Sequence, residues 1–552
     1  MRTPAQTSHA LTVRSAATHS STSAASVTSA DPTAVGPTHT PATAPSRRLV
    51  LASGAAAAVL GASPLLTGTA AAGDAYPFRL GVASGDPTPD GVVLWTRIAP
   101  DPVAADGLGG LTASTRTTVE WELATDETFR TIVRRGSVTT DSSVGHSVHI
   151  ELSGLRPDAW YAYRFRVGSH VSPVGRTRTA PAPTSDRPAR IGVVSCAQWE
   201  HGFFTAYRHL ADEAPDMVLH LGDYIYEHGP GGYPVKSGVA RRMVGAEIHT
   251  LADYRRRHAL YKTDADLQAL HATAPWVVVF DDHEIDNDWA AEYHEVFGRT
   301  PAFLERRAAG FRAYWENMPL RRTSVPTADG IHLYRRLTWG RMATFHMLDT
   351  RQYRSDQTGW VGPVPATYDT RRTMLGSTQE AWLDEGLRSS GARWDVLGQQ
   401  VMVAQYDMMA GPGFMTNQDA WDGYVAAKDR LLTSIERSGA RNPLVLTGDV
   451  HESFASDLWR TTDSGRTTIA SELVTTSVTS GGDSKDSAFT GDADNPHMRY
   501  HETTRGYLRL DLAADALTGT FRAVDRVSTM GGAVRTDATF RLSDGVRGLQ
   551  NA

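Results

Sequence analysis

A cluster of acidic residues follows a run of apolar residues in the segment WVVVFDDHEIDND at residues 276–288. The apolar run is typical of a buried strand. The acidic residues that follow it are Asp281, Asp282, Glu284, Asp286 and Asp288. Carboxylates this close together repel one another and lose hydration when the site is enclosed. A bound cation would balance their charge.

Two other apolar runs end in the same kind of residue. DMVLHLGDYIYE places Asp223 directly after a predicted buried strand, and PLVLTGDVHES places Asp449 and His451 there. In the first segment, His283 stands next to Asp282. A single Asp at a strand end is most often a cap or turn residue. Three strands that end in Asp, two of them with His, favour a metal site.

Cys196 is the only cysteine in the chain, so the protein has no intramolecular disulfide. A lone cysteine is commonly a small buried hydrophobic residue. Cys196, however, directly follows the predicted strand RIGVVS, and the carboxyl ends of strands are where α/β proteins build their sites. A buried hydrophobic thiol and a ligand thiol both fit this position.

The elements that must position these residues change in type near residue 180. From Pro77 to Thr179, segments such as TTVEWELA alternate polar and apolar residues between turn signals, which predicts a β-sandwich. GLRPDAWYAYRF resembles the tyrosine corner of immunoglobulin-like and fibronectin-like domains. Residues 180–188, rich in Pro and Ala, form the predicted linker. Beyond it, predicted strands and helices alternate, which indicates α/β layering.

The N-terminal residues 1–72 are predicted to be an export segment. Residues 1–45 are mainly Ser, Thr, Ala and Pro, a composition that does not form a core. Arg47 and Arg48 then precede an uncharged, Ala-rich stretch that ends in TAAAG, which is the layout of a cleavable signal of the twin-arginine type. A membrane anchor is the alternative. The stretch is poor in Leu and Ile and contains Pro64, which favours cleavage and no stable membrane span afterwards.

Composition narrows the function classes further. The chain has 552 residues, of which 41% are hydrophobic, so it is long enough for two domains and can bury a core. Its formal net charge is −6. This charge argues against a basic face that binds the phosphates of a nucleic acid.

Five motifs together resemble the PhoD-type alkaline phosphatases, which are twin-arginine-exported relatives of the dinuclear metallophosphoesterases. The motifs are SC at 195–196, GDYIYE at 222–227, DDHEIDND at 281–288, LDTRQYR at 348–354 and GDVHES at 448–453. They are specific in combination and weak singly. GVASGDPTPDGVVLWTRI at 81–98 looks like the family's N-terminal domain.

The resemblance implies an α/β protein in two parts behind the signal region. A fibronectin- or immunoglobulin-like β-sandwich is expected at residues 73–180. A metallophosphoesterase-like αββα sandwich, the catalytic domain, is expected at residues 188–545.

The resemblance also assigns metal ligands in two sets. The tighter site would contain the bridging residue Asp223 with Cys196, Tyr226 and His451. The second site would contain Asp282 and Asp449. For Tyr226, simple packing in an aromatic-rich strand end is the plainer alternative.

The residue types indicate the metals independently. A thiolate and a phenolate must both lose their protons, and because the ordinary pKa of a phenol is about 10, a strong Lewis acid such as ferric iron is required. Carboxylates in the second site suit a hard cation such as calcium. The family is similar in using iron with calcium.

Two neighbouring cations would hold a hydroxide for in-line attack on phosphorus and neutralise the phosphoryl oxygens. His283 would protonate the leaving oxygen, with Glu284 orienting its ring. Arg351 or Arg354 would clamp a phosphate oxygen. The plainer alternatives are a structural histidine in the acidic turn and arginines in ordinary surface pairs.

The sequence therefore predicts an alkaline phosphatase that is secreted or held in the cell wall or periplasm and acts on extracellular phosphate esters. Phosphomonoesters and phosphodiesters are both expected substrates, because two cations can orient either. A phosphodiesterase acting mainly on wall polymers or phospholipids is one alternative. A cell-surface binding protein with a vestigial metal site is another, although such a module has no need of Cys196, His283 and His451 together.

The twin-arginine export machinery is thus an expected partner, and this expectation can be tested directly. Replacing both Arg47 and Arg48 with Lys should keep the precursor inside the cell, because that route recognises the arginine pair. Immunoblots of cell and medium fractions measure the outcome. The matched control replaces Arg2 and Arg14 with Lys and should be exported normally. Normal export of the first variant would contradict the twin-arginine prediction.

Overall fold

The computed structural model describes residues 75–552 except 463, 464, 486, 488, 490 and 492. The predicted signal at residues 1–72 lies outside the described residues. The helices are α1 (Thr205–Asp212), α2 (Leu251–Lys262), α3 (Ala265–Thr273), α4 (Pro301–Asn317), α5 (Gly376–Ser389) and α6 (Val425–Ser438).

The strands fall into two stretches of the chain. The first stretch contains β1 (Val82–Thr88), β2 (Gly91–Arg97), β3 (Arg116–Ala124), β4 (Ile132–Asp141), β5 (Ser147–Leu152), β6 (Trp160–Val167), β7 (His170–Val171) and β8 (Gly175–Arg178). The second contains β9 (Ala189–Val194), β10 (Met217–His220), β11 (Trp276–Val278), β12 (Arg335–Trp339), β13 (Ala343–Met347), β14 (Val361–Gly362), β15 (Trp394–Gly398), β16 (Thr416–Asn417), β17 (Pro443–Thr447), β18 (Ser453–Thr462), β19 (Gly465–Val474), β20 (Met498–Glu502), β21 (Gly506–Leu512), β22 (Ala516–Val524), β23 (Val534–Ser543) and β24 (Gln550–Asn551).

Two large sheets form the centre of the molecule. One has ten strands in the order β24-β23-β22-β21-β9-β10-β11-β1-β2-β5, and the other has seven in the order β12-β13-β15-β17-β19-β18-β20. A hydrophobic cluster between them joins Ile191 and Leu219 of the first sheet to Val396 and Leu444 of the second. Both faces of these strands are buried, which explains why their sequences are continuous apolar runs.

Helices cover the outer face of each sheet. Helices α1 to α4 pack on the ten-stranded sheet, where Leu210 and Phe311 contribute to one cluster with Val218. Helices α5 and α6 pack on the seven-stranded sheet, where Leu383 and Leu431 belong to another. The predicted αββα sandwich is therefore confirmed.

The N-terminal strands form a second, smaller sandwich. Strands β4, β3, β6 and β7 make an antiparallel sheet, with β8 paired to β6. This sheet packs on β1, β2 and β5 through a cluster that includes Val92, Val119 and Phe165. In the predicted tyrosine corner, the backbone N–H of Arg156 donates to the Tyr161 hydroxyl at 3.1 Å. Strands β1, β2 and β5 also extend the ten-stranded sheet, because β1 pairs with β11.

Parallel pairing brings the candidate residues to one edge of the sandwich. Strands β9, β10 and β11 run parallel in one sheet, and β13, β15 and β17 run parallel in the other. Cys196, Asp223, Asp282, Arg351 and Asp449 lie in the segments that follow β9, β10, β11, β13 and β17, respectively. None of the helices in the described part of the chain has the length and apolar character needed to cross a membrane.

Candidate metal centre

The backbone at four of the predicted ligands adopts the left-handed conformation. The φ angles are +60° at Cys196, +57° at Asp223, +64° at Asp449 and +60° at His451. Residues other than glycine adopt this region at a cost of about 1–3 kcal/mol each, and they persist in it only when the surrounding structure imposes it. Such residues concentrate at functional sites. The strand ends are therefore shaped to aim side chains at a common point.

Two glycines allow the loops that carry these residues to touch. A Cβ at Gly222 would lie 2.5 Å from the backbone nitrogen of Asp281, and the φ of Gly222 is +115°. A Cβ at Gly448 would lie 2.7 Å from the Ser195 hydroxyl oxygen. Glycine is thus required at both positions for the close approach of neighbouring loops.

Glu284 holds two of the loops together. Its carboxylate accepts hydrogen bonds from the backbone N–H groups of Asp223 at 3.0 Å, Tyr224 at 2.6 Å and Asp281 at 2.9 Å. The prediction that Glu284 orients His283 is wrong, because these three amides occupy the carboxylate. The residue that orients His283 is Glu227, whose Oε2 lies 2.7 Å from His283 Nδ1.

Cys196, Asp223, Tyr226 and His451 converge, and we call them the mixed-donor group. Ligand atoms of Cys196, Asp223 and His451 all lie within 4.8 Å of one another. The Tyr226 hydroxyl donates to Asp223 Oδ2 at 2.8 Å and lies 3.0 Å from His451 Nε2. The structure therefore brings together all four residues assigned to the tighter site, including Tyr226, which packing alone would not place on two other candidate ligands.

The electrostatics of the mixed-donor group suit a cation. Burial, and then the charge of Asp223, raises the pKa of the Cys196 thiol and of the Tyr226 phenol well above their ordinary values. Burial lowers the pKa of His451 well below its usual range, so its imidazole is neutral and has a lone pair for a metal. Asp223 Oδ1 is buried and has no hydrogen-bond partner among the described residues. A bound cation would displace the thiol and phenol protons and would be coordinated by Asp223 Oδ1.

Asp281, Asp282 and Asp449 form a second cluster, which we call the carboxylate group. Their oxygen atoms lie within 4.8 Å of one another, and Asp223 lies within the same distance of Asp282 and His283. Asp281 Oδ2 and Asp282 Oδ1 have no hydrogen-bond partner in the described part of the protein. Burial raises the pKa of Asp281 and of Asp449 well above the ordinary value. These oxygen donors fit a hard cation.

The carboxylate group departs from the predicted second set by one residue. Asp281 was not among the predicted ligands, although it stands in the acidic run beside Asp282. A run of carboxylates shows in the sequence, but the side chains that face the site depend on the turn that follows β11. The structure places Asp282 and Asp449 together as predicted.

Arg351 lies within the carboxylate group and is fully buried. Its Nε donates to Asp281 Oδ1 at 2.5 Å and its Nη1 to Asp419 Oδ1 at 2.8 Å. Its Nη2 makes longer contacts of 3.4 Å with Asp282 Oδ1 and Asp449 Oδ1. An ordinary surface pair is therefore excluded for Arg351. The guanidinium offsets part of the carboxylate charge, and Nη2 is its least tightly held donor.

Arg354, the other predicted clamp, has a supporting role. It is buried, and its guanidinium donates to Asp419 Oδ1 at 2.6 Å and to the backbone oxygen of Trp289 at 2.9 Å. Asp419 thus joins the two arginines. It lies in QDAWDGY, far from every motif in the sequence, and no local pattern marks it.

His283 is placed to carry a proton next to both groups. Its ring stacks on Tyr226 with centroids 4.0 Å apart. Burial lowers the pKa of His283, but the negative charges of Glu227 and Asp282 outweigh burial and raise it well above its ordinary value. This shift favours the imidazolium form, in which Nδ1–H donates to Glu227 Oε2. Glu227 ends the motif GDYIYE, which is the signal that could have identified it.

Two further residues hold the mixed-donor group in place. Ser480 Oγ donates to the Tyr226 hydroxyl oxygen at 2.6 Å, and it lies 3.0 Å from the backbone oxygen of Cys196. Arg505 Nη1 donates to the backbone oxygen of His451 at 2.6 Å. Both residues lie beyond GDVHES at 448–453, the last of the motifs found in the sequence.

Comparisons with family models and with a known protein give matches over most of the chain. The sequence model of the PhoD-like phosphatase family matches residues 191–521, and that of the PhoD-like phosphatase N-terminal domain matches residues 63–181. Alkaline phosphatase D of Bacillus subtilis (strain 168) is 44% identical over 483 residues, which cover 86% of this chain and 82% of that protein.

Solved structures give the same result. The protein in the solved structure of PhoD is 44% identical in sequence to this chain. The match covers 87% of this chain and 92% of the PhoD chain, with a TM-score of 0.82. A purple acid phosphatase from yellow lupin (Lupinus luteus) is 13% identical, covers 85% of this chain and 74% of its own, and superposes with a TM-score of 0.53, which is a likeness of fold alone. The mixed-donor group and the carboxylate group remain candidate metal sites on the arrangement of their own side chains. The chain belongs to the PhoD-like phosphatase family.

Proposed function

We propose that this protein is an exported alkaline phosphatase that hydrolyses phosphomonoesters and phosphodiesters at the candidate metal centre. The observation that carries the proposal is the junction of the mixed-donor group and the carboxylate group at Asp223, with His283 beside them. The name of the Bacillus subtilis relative, alkaline phosphatase D, supports the activity. The intact set of donors argues against a binding protein with a vestigial site.

The donor chemistry supports ferric iron at the mixed-donor group and calcium at the carboxylate group. A thiolate and a phenolate together favour a strongly polarising cation. Three carboxylates favour a hard cation that takes oxygen donors. When bound, the two cations supply positive charge that orients the ester and stabilises the phosphoryl oxygens as the phosphorus–oxygen bond breaks.

The chain's own residues do the proton transfer and the positioning. His283 holds a proton at Nε2 for the leaving oxygen. Its Nδ1–H donates to the Glu227 carboxylate, which fixes the orientation of the ring. Arg351 keeps Asp281 and Asp419 in place through Nε and Nη1. Its weakly held Nη2 is the donor for a phosphate oxygen.

Export is proposed from the sequence. Arg47 and Arg48 precede the signal-like stretch, and export by the twin-arginine route would allow metal loading inside the cell before secretion. The expected location is the medium, the cell wall or the periplasm, where phosphate esters are the substrates.

Release of chromophore from nitrophenyl phosphate and bis(nitrophenyl) phosphate tests the activity. The metal-loaded protein should hydrolyse both, because two cations can orient either ester class. Protein stripped with a chelator, and then dialysed, should lose the activity and regain it with iron and calcium. If neither ester reacts while both metals are bound, the enzymatic proposal fails.

His283→Ala should lower kcat about 100-fold or more for alkyl phosphates, whose leaving groups need a proton. The loss should be smaller for nitrophenyl phosphate, because nitrophenolate departs without a proton. Steady-state kinetics on both substrates measure the difference. His249→Ala, at a histidine whose side chain is 59% exposed, is the matched control and should change neither rate. Equal losses on both substrates would assign His283 to metal binding or structure.

Cys196→Ser separates a ligand thiol from a buried hydrophobic thiol. If Cys196 ligates iron, the iron content should fall while the fold survives, because a serine hydroxyl is much harder to deprotonate. Elemental analysis gives the iron content, and circular dichroism monitors the fold. A charge-transfer absorption band should also shift, and Tyr226→Phe should remove its phenolate part. Iron content and activity that both stay unchanged in Cys196→Ser would remove the thiol from the site.

A further inference from the structure

The segment 228–249 lies between the β10 motif and helix α2 and contains neither helix nor strand. Buried groups attach it to the body of the protein. The Glu200 carboxylate accepts from the backbone N–H groups of Gly231 at 2.8 Å and Met243 at 3.4 Å. Arg257 donates to the backbone oxygens of His228 at 2.8 Å and Ala246 at 3.0 Å. The segment is therefore fixed near both of its ends.

Tyr233 is a residue of this segment whose ring turns towards the metal centre. Its backbone oxygen accepts a hydrogen bond from His201 Nε2 at 2.9 Å, which fixes the main chain at this point. The His201 tautomer is consistent with this bond, because Nδ1 accepts from the backbone N–H of Gly481 at 3.0 Å. Tyr233 is half-buried, while Gly232 and Pro234 on either side of it are exposed.

The ring of Tyr233 packs against residues of the candidate metal centre and against His283, and not against a hydrophobic core. Its centroid lies 5.7 Å from that of Tyr226, 5.6 Å from that of His283 and 6.3 Å from that of His451. Tyr233 belongs to none of the core clusters formed by the described residues. Burial raises the pKa of its phenol, so the ring is uncharged.

His228 adds a second ring on the same side. Its centroid lies 5.5 Å from that of Tyr233 and 5.7 Å from that of His283, and 23% of its side chain is exposed. Two partly accessible rings therefore stand next to the group that is placed to protonate the leaving oxygen. Aromatic rings attract other flat, apolar groups at centroid separations of about 4.5–7 Å.

We propose that Tyr233, with His228 beside it, forms the wall of a leaving-group subsite and favours esters whose leaving group presents a flat, apolar face. The inference rests on the proposed function, because His283 must contact the leaving oxygen for the leaving group to reach these rings. Tyr233 is then a specificity-determining residue. It contacts the part of the ester that departs and leaves the phosphoryl group to the metal centre.

Binding of phenylphosphonate and methylphosphonate isolates this effect. The two probes share the phosphonate that the metal centre would hold and differ in the group that would contact Tyr233. The wild-type protein, loaded with metals, should bind phenylphosphonate more tightly. Tyr233→Ala should weaken phenylphosphonate binding about tenfold, as expected for one lost aromatic contact, and methylphosphonate binding less than twofold. Tyr233→Phe should retain the preference, because the ring is kept. Titration calorimetry measures all dissociation constants.

Val239→Ala is the matched control, because Val239 is an apolar residue of the same segment that is 58% exposed. It should leave both dissociation constants unchanged. Equal weakening of both probes by Tyr233→Ala, or a wild-type protein that binds them equally, would overturn the subsite while the phosphatase proposal stands. If the wild-type protein with both metals bound takes up neither probe, the proposed function fails and the subsite with it.

Discussion

Buried negative charge at the ends of parallel strands is the constraint on which the rest of this structure depends. Asp223, Asp281 and Asp282 are almost completely buried and lie close together. One guanidinium, that of Arg351, stands among the carboxylates and has contacts with four of them. Arg354 shares one of these carboxylates, that of Asp419, so two positive charges face four negative ones, and uncompensated charge is costly in a protein interior. A cation bound at the candidate metal centre would complete the balance of charge.

The architecture around the centre follows from this requirement. Carboxylates stay close together only if their backbone is fixed. Glu284 fixes it, because its carboxylate accepts hydrogen bonds from three backbone N–H groups in two loops. Glycine at 222 and 448 lets the loops meet. The left-handed backbone at Cys196 and His451 turns those side chains inwards at a conformational cost that the packed sheets sustain.

Much of the fold could be predicted because its signals are local. Apolar runs mark the strands of the two central sheets, and an Asp after the run marks the end of β10, β11 or β17. The pairing of β1 with β11 could not be predicted, because the alternation of side chains in a strand does not specify its neighbour. The same holds for the site. Asp419 and Arg505 enter it through contacts between residues that are distant in sequence, so their roles appear only once the chain is folded.

The position of β1 has a consequence for the solubility of the catalytic part. In the ten-stranded sheet, β1 occupies the side of β11 that would otherwise be an open edge, with β2 and β5 beyond it. An open edge presents unpaired backbone donors and acceptors to other chains, and self-association follows readily. The N-terminal strands therefore cover this edge of the sheet. A fragment that lacks them would expose strand β11, which would become a template for aggregation.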